Sequence, residues 1–361
     1  IMGFKRAHDH LEGLVKDLRD GMEARGVERS VALRILKQLQ GFASYGFPES
    51  HAASFALLVY ASAWLRHHFP AEYLVAMLNA QPMGFYGSNT LVEDGRRHGV
   101  EVRPVDLLFS RWDSSLECDI SPPAVRLGLR LVRGMSAATR SKLEGALEPG
   151  PLSSLEDLVA RSDQVGLGDD ALLTLARAGA LRTLWPGRRE ALWELLRRLR
   201  ERQGDLDLHR PSDGIPLSIQ TMTTLEETTA DYRHLGLSHH QHPLSFHREA
   251  LRARQVRSSG ELLEMANGAQ VSVGGLVICR QRPGSARGVF FLTIEDEEGM
   301  VNIVVMPDLF EAHRLLLASA SALVIHGRLE RAQGVRNVLG KRFEAISLAT
   351  GDESVQSRNF R

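Results

Sequence analysis

Cysteine is almost missing from this chain of 361 residues: Cys118 and Cys279 stand far apart, outside any CxxC or Cys/His cluster. That suggests neither a disulfide framework nor a structural zinc site, and it fits a reducing, cytoplasmic setting. A long apolar run is also missing, so membrane anchoring is disfavoured. A net charge is lacking too, because 44 Lys and Arg balance 44 Asp and Glu, and the total does not advertise nucleic acid. No signal peptide opens the chain; Ile1 reads as the middle of a longer polypeptide. What remains is the composition of an ordinary globular protein, 43% apolar and 24% charged, of a length that suits about two to four domains.

Charge distribution says more than charge total. Arg177, Arg182, Arg188, Arg189, Arg197, Arg198, Arg200 and Arg202 crowd one segment against Glu190, Glu194 and Glu201, while acids gather at Glu295 to Glu298. Such a basic stretch suits either a phosphate backbone or a solvated helix face.

Helical periodicity runs through Leu11, Leu14, Val15, Leu18 and Met22, and again through Val31, Ile35, Leu36 and Leu39. Gly46 and Pro48 then break the chain, and Ser50 is placed to cap a helix carrying His51. That helix, to about His67, is apolar nearly all round, which predicts burial on several sides. Further helices are expected from Pro70 to about Ala80 and from Ser88, as cap, to His98. Short strands follow between Arg111 and Leu129, with Ser121-Pro-Pro at their turn.

Gly134 sits in a turn that launches a short helix, and Ala178-Gly-Ala-Leu181 precedes a second helix from Arg188 to Arg202. Repeated glycine turns between short helices suggest paired helix-hairpin-helix units, whose turn amides face a DNA phosphate; a generic helical bundle fits equally. These turns look loose, without Gly-x-Gly. Residues 203–224 read as linker. From about Ala269 the order strand, strand, strand, helix, strand, strand is that of an OB-fold. Phe290 and Phe291 are neighbours on one strand, so one serves the core and the other is free to stack on a base. The expected class is thus α+β and multidomain, with a helical domain, a tandem helix-hairpin-helix region and a C-terminal OB-fold β-barrel.

Tyr45-Gly-Phe-Pro-Glu-Ser-His-Ala-Ala-Ser-Phe-Ala56 and Trp64-Leu-Arg-His-His-Phe-Pro-Ala-Glu-Tyr73 resemble the fingers of the bacterial C-family DNA polymerases, the DNA polymerase III alpha-subunit group. Met2-Gly3 with Lys5 resembles a family motif that precedes these helices. Asn79-Ala-Gln-Pro-Met-Gly-Phe-Tyr86, Glu101-Val-Arg-Pro-Val-Asp106 and Ser357-Arg-Asn-Phe360 resemble the error-prone, damage-tolerant branch more narrowly. Leu235-Gly-Leu with His242-Pro243 is similar to the segment before the family's OB-fold.

The resemblance implies a division into 1–110, the later part of the fingers; 111–202, hairpin and helix-hairpin-helix; 203–268, linker and connecting helices; 269–350, OB-fold; and 351–361, tail. It implies part of an error-prone polymerase in translesion synthesis, with Mg2+ held by upstream palm carboxylates and no catalytic or metal-binding residue in this chain, which alone is expected to be inactive. Lys5, Ser50 and His51 are expected near the incoming deoxynucleoside triphosphate. Arg133, Gly134, Arg140 and Lys142, with Phe291 in the barrel, are expected at primer-template DNA. Gln203, Leu206 and Leu208 sit where relatives carry a sliding-clamp motif, although Asp207 departs from it; ordinary linker is the rival reading. An accessory protein resembling a translesion polymerase is a further expected partner. The rival from another class is a non-catalytic DNA-binding scaffold of helix-hairpin-helix and OB modules; a third reading, a metal hydrolase on His67, His68, His239, His240 and His242, lacks acidic companions at ligand spacing, and adjacent histidines on a helix point to different faces.

Overall fold

The computed structural model describes residues 17–36, 49–84, 86–202, 219–332, 335–347 and 358–360, with the backbone alone at 49–51 and 358–360. The chain divides into two units, Ile1–His68 and Phe69–Arg361.

In the first unit, α1 and α2 are described over 17–24 and 29–36. Gly26, at φ +83°, takes the left-handed turn between them, a conformation that only glycine adopts without strain. Helix α3 spans Glu49–His68. Because it starts at Glu49, Ser50 is its second residue, so its N-cap position is not the one expected from sequence. The predicted burial of α3 is also corrected: its side chains from 52 to 68 are exposed, Tyr60 by 71%. An apolar circumference shows that a helix would gain from partners, not that it has them. No described helix is long and apolar enough to cross a membrane.

The second unit begins with α4 (Pro70–Asn79), where proline at the first helical position loses no hydrogen bond. Helix α5 (Ser88–Arg97) has Gly87, not Ser88, at its N-cap position, and Gly99 follows its end at φ +81°. Three short strands come next: β1 (Val102–Arg103), β2 (Ser115–Glu117) and β3 (Ala124–Arg126). β2 and β3 form the expected hairpin, and β1 adds to β3 in parallel. Helices α6 (Ala137–Leu147), α7 (Leu155–Gln164), α8 (Asp169–Arg177) and α9 (Arg188–Arg202) follow. Leu74 and Leu78 of α4 share one core with Val105, Leu127, Leu143, Leu158, Leu172 and Leu195. The boundary expected at 110/111 therefore falls inside a continuous core, since the helices before it bury their apolar faces on the strands and helices after it.

Helix α10 (Thr224–His234) starts with a full capping box, Thr223 and Glu226 each satisfying the other's backbone amide. After a 3-10 turn (Pro243–His247) and α11 (Arg248–Ala253) comes the barrel. Its strands are β4 (Gln270–Gln281), β5 (Phe290–Glu295), β6 (Met300–Val305), β7 (Ala322–Ala332) and β8 (Val335–Ala345). Two short helices, α12 (Pro307–Ala312) and α13 (Arg314–Ser319), replace the one expected after β6. β4 pairs with both β5 and β7, and the parallel β6–β8 pair completes a closed five-stranded barrel. Closure leaves no open sheet edge among these five strands. β9 (Arg358–Phe360) adds in parallel to the end of β4, from Cys279 to Gln281.

Candidate nucleic-acid interface

Gly134 holds φ +88°, and a Cβ built on it would meet nothing within 4 Å. The turn is thus glycine for its backbone and open on its outer side. Two residues on, Ser136 caps α6 by accepting from the Thr139 amide at 3.1 Å. Thr139 supplies the capped amide, and its hydroxyl lies 2.9 Å from that of Ser136. The first turn of α6 presents the positive end of an eleven-residue helix.

A second glycine turn faces the first. Gly166 holds φ +63° and Gly168 is the N-cap residue of α8, so Gly166-Leu167-Gly168 is the tight Gly-x-Gly missed in the sequence. Gly134, Ala138, Thr139 and Lys142 line one side of a cleft of about 280 Å3, and Leu167, Gly168, Asp170 and Thr174 line the other. Lys142 donates from Nζ to the Gly166 carbonyl at 2.7 Å, so it ties the two turns together.

The other two expected DNA contacts are turned elsewhere. Arg133 donates from Nη1 to the Arg233 carbonyl at the end of α10, 3.1 Å away, and burial lowers the pKa of its guanidinium. Arg140 pairs with Glu144 at 2.8 Å and lies over the Trp112 ring, 5.5 Å from its centroid. It lines a separate groove of about 860 Å3 between α6 and Ser110 to Ser115.

The arginine-rich segment is largely neutralised. Arg189 pairs with Glu226, Arg197 with Glu194 and Glu201, Arg198 with Glu156 and Glu194, and Arg202 with Asp163 and Asp169. Arg188 is buried and reaches Asp231 at 2.5 Å and Glu227 at 3.1 Å. Burial opposes ionisation of Asp231, but a hydrogen bond from His239 and the charge of Arg188 win and hold its pKa to about 2. Glu194 and Glu201 are neighbours on α9 itself and legible in the sequence, whereas Glu156, Asp163, Asp169 and Glu226 come from α7, α8 and α10 and are not.

In the barrel, Phe290 is buried against Phe310, with ring centroids 4.4 Å apart, while Phe291 faces the other side and is half-buried. Phe291 lies opposite Gln281 on β4 and Val304 on β6. The acids at 295–298 are internal braces. Asp296 accepts from Ser259 and from the Glu298 and Gly299 amides, Glu297 pairs with Arg248, and Glu295 meets Arg97 of α5 at 3.0 Å. Burial lifts the Glu295 carboxyl to about 8 against the pull of Arg97.

Ser50 and His51 lie in the first turn of α3, described by backbone alone. Lys5, Gln203, Leu206 and Leu208 lie outside the described residues.

Residues 99–191 match a family described as a helix-hairpin-helix motif, and residues 271–346 one described as an OB-fold nucleic acid binding domain. Over 98% of its length the chain is 45% identical to an error-prone DNA polymerase of Pseudomonas savastanoi pv. phaseolicola. It is 43% identical over its full length to one of Anaeromyxobacter sp., and 41% identical over 97% to one of Methylococcus capsulatus. It spans about a third of the length of these relatives, 34%, 32% and 35% respectively.

Proposed function

We propose that the chain is part of an error-prone DNA polymerase, like the relatives it matches, and that it supplies the DNA-holding part of template-directed, damage-tolerant DNA synthesis in the bacterial cytoplasm. The observation that carries this reading is the cleft between two glycine turns, with helix N-termini on both sides and Lys142 across it. Backbone amides and a helix dipole favour a phosphate there without reading sequence, as a polymerase that moves along any template requires. Gly134, Gly166, Gly168 and Lys142 form this duplex contact. Arg133 acts from behind, fixing the turn to α10, and Arg140 flanks the neighbouring groove. Phe291, on the outer side of the barrel, offers a half-buried ring to a single-stranded base.

Nucleotide addition in this family calls for Mg2+, which lowers the barrier by neutralising and aligning phosphate oxygens. Mg2+ takes an octahedron of oxygen ligands. The group of described residues with ligand atoms close enough to hold an ion is Asp231, His239 and His240. Two imidazoles and one carboxylate already bonded to Arg188 and Ser238 do not fit Mg2+. In keeping with the family resemblance, we place the carboxylates for Mg2+ in other parts of the polymerase and assign no catalytic step to this chain's residues. Lys5, Ser50 and His51 serve the incoming triphosphate. Gln203, Leu206 and Leu208 serve a sliding clamp, and an accessory protein resembling a translesion polymerase is a further partner.

The test is binding of a fluorescent primer-template by this chain across a salt series. The reading expects affinity that falls steeply with salt and weakens in Gly134→Ala and Lys142→Met. A flat salt response, or unchanged affinity in both variants, overturns it.

A further inference from the structure

Asp231 is almost wholly buried on α10, and the chain returns to it eight residues later. Leu235 to Leu237 end the helix through Gly236 at φ +78°, so that Ser238, His239 and His240 come back over the carboxylate. His239 and His240 lie at a bend and not on a helix. Their rings are therefore not splayed to opposite faces; the centroids lie 3.9 Å apart at a 42° tilt. One ligand atom from each of Asp231, His239 and His240 falls within 4.8 Å of the others.

We propose that these three side chains bind a divalent transition-metal ion of the zinc class, which ties the end of α10 to the segment leading into the barrel. The site is independent of the DNA-holding cleft.

Three observations support this assignment. First, His239 Nδ1 stands 3.2 Å from Asp231 Oδ2. Two ligands at bond lengths of about 2.0 Å around a tetrahedral ion are separated by about 3.3 Å, so this edge already has the required length. Second, His240 Nε2 is buried without a hydrogen-bond partner, and the one polar group at His239 Nδ1 is the Asp231 carboxylate itself. A buried imidazole nitrogen left without a partner is costly, and an ion shared by the two rings and the carboxylate would supply one. Third, the carboxylate is already oriented: Arg188 Nη2 donates to Oδ1 at 2.5 Å and the Ser238 hydroxyl to Oδ2 at 2.7 Å. Ser238 Oγ also accepts from the His240 amide at 3.0 Å, which fixes the bend. Outer contacts of this kind hold metal-binding carboxylates in place.

The ligand set selects the ion. Imidazole nitrogens favour zinc and its neighbours over magnesium or calcium, which seek oxygen. Arg188 and Arg182 oppose any cation here, and Glu227, 3.1 Å from Arg188, offsets part of that repulsion. A cation held by charge alone would gain little in this setting, whereas one held by nitrogen lone pairs gains directly. Three protein ligands leave a fourth tetrahedral position for water.

The experiment is equilibrium dialysis of the full chain against Zn2+ alone, with bound metal measured by elemental analysis. Co2+ in place of Zn2+ then reports tetrahedral geometry through the intensity of its visible absorption. Expected results are one equivalent bound, tetrahedral Co2+ bands, and a thermal midpoint that rises with Zn2+ and falls back with chelator. His239→Ala and His240→Ala each weaken uptake by at least about tenfold. His67→Ala/His68→Ala, which removes two histidines of α3, leaves it unchanged. Circular dichroism confirms that each variant is folded. No stoichiometric uptake by the wild-type chain, uptake retained in His239→Ala/His240→Ala, or uptake lost with His67 and His68 overturns the proposal. DNA affinity is not read, so failure here is distinct from failure of the polymerase reading.

Discussion

Lys142 Nζ donates to the carbonyl of Gly166 at 2.7 Å, and this bond joins the two glycine turns of the candidate interface. An exposed lysine in this position loses little by turning from a carbonyl to a phosphate. Lys142→Met should lower primer-template affinity and reduce the slope of log K against log salt by about 0.9, one phosphate contact. Its stability should change by no more than about 0.5 kcal/mol, as for other exposed positions. Anisotropy titrations at several salt concentrations, with denaturant melts alongside, check both.

Two glycines near this site separate backbone strain from crowding. Gly134→Ala meets open space but forces a side chain to φ +88°, so it should cost about 1 kcal/mol. Gly128 has an ordinary φ of −82°, yet a Cβ there would lie 2.4 Å from the Asp113 backbone. Gly128→Ala should therefore be the more damaging of the two, because backbone cannot move aside as a flexible side chain can. Urea midpoints of the two variants give the order, and the reverse order contradicts the geometry.

Two buried groups give opposite pH slopes. Burial, opposed by Arg97 and reinforced by Glu93 and Asp94, raises Glu295 from 4.5 to about 8. The native state then holds a proton that the unfolded chain releases, so stability falls as pH rises from about 4.5 to 8. Burial lowers His242 from 6.5 to about 3, and its Nδ1 accepts from the Leu244 amide, so stability is lost as pH falls below about 6.5. Glu295→Gln should flatten the loss above pH 6.5 and steepen the fall between pH 6.5 and 4.5, where the Glu295 and His242 slopes otherwise oppose each other. Melting midpoints from pH 4 to 9 test this; an unchanged alkaline limb would remove Glu295 as its cause.

In a polymerase that carries this chain, His51→Ala should raise the KM for deoxynucleotides or lower kcat if the first turn of α3 receives the triphosphate as proposed. Unchanged steady-state kinetics would return His51 to a structural role.

The barrel was legible because alternation in β4 to β8 is local: Val271 and Val273, or Val301, Ile303 and Val305, mark the inner face by themselves. The Gly134 turn was legible for the same reason. Gly166-Leu-Gly168 is equally local and is marked by its glycine spacing, whereas Ala178-Gly-Ala-Leu181 is the C-terminal stop of α8. The arginine cluster was only half legible: Glu194 and Glu201 neutralise it locally, but Glu156, Asp163 and Asp231 meet Arg198, Arg202 and Arg188 only when α7 and α10 pack beside α9. The Asp231–His239–His240 group was hidden for another reason. Adjacent histidines diverge on a helix, and only the bend after Gly236 makes them converge.

Phe290 and Phe291 give the sharpest separation of stability from binding, since strand alternation puts neighbouring rings in opposite environments. Phe290→Ala removes a ring packed on Phe310 and should cost about 3–5 kcal/mol. Phe291→Ala removes a half-buried ring whose loss to the core is smaller. If that ring stacks on a base, single-stranded DNA affinity should fall by about 1–3 kcal/mol, roughly 5- to 150-fold. Single-stranded and duplex probes should then respond differently, because the glycine-turn cleft, untouched by this change, carries the duplex. Equal loss on both probes would mean that Phe291→Ala acts through the fold, and no loss on either would leave the outer face of β5 and β6 without a role in DNA binding.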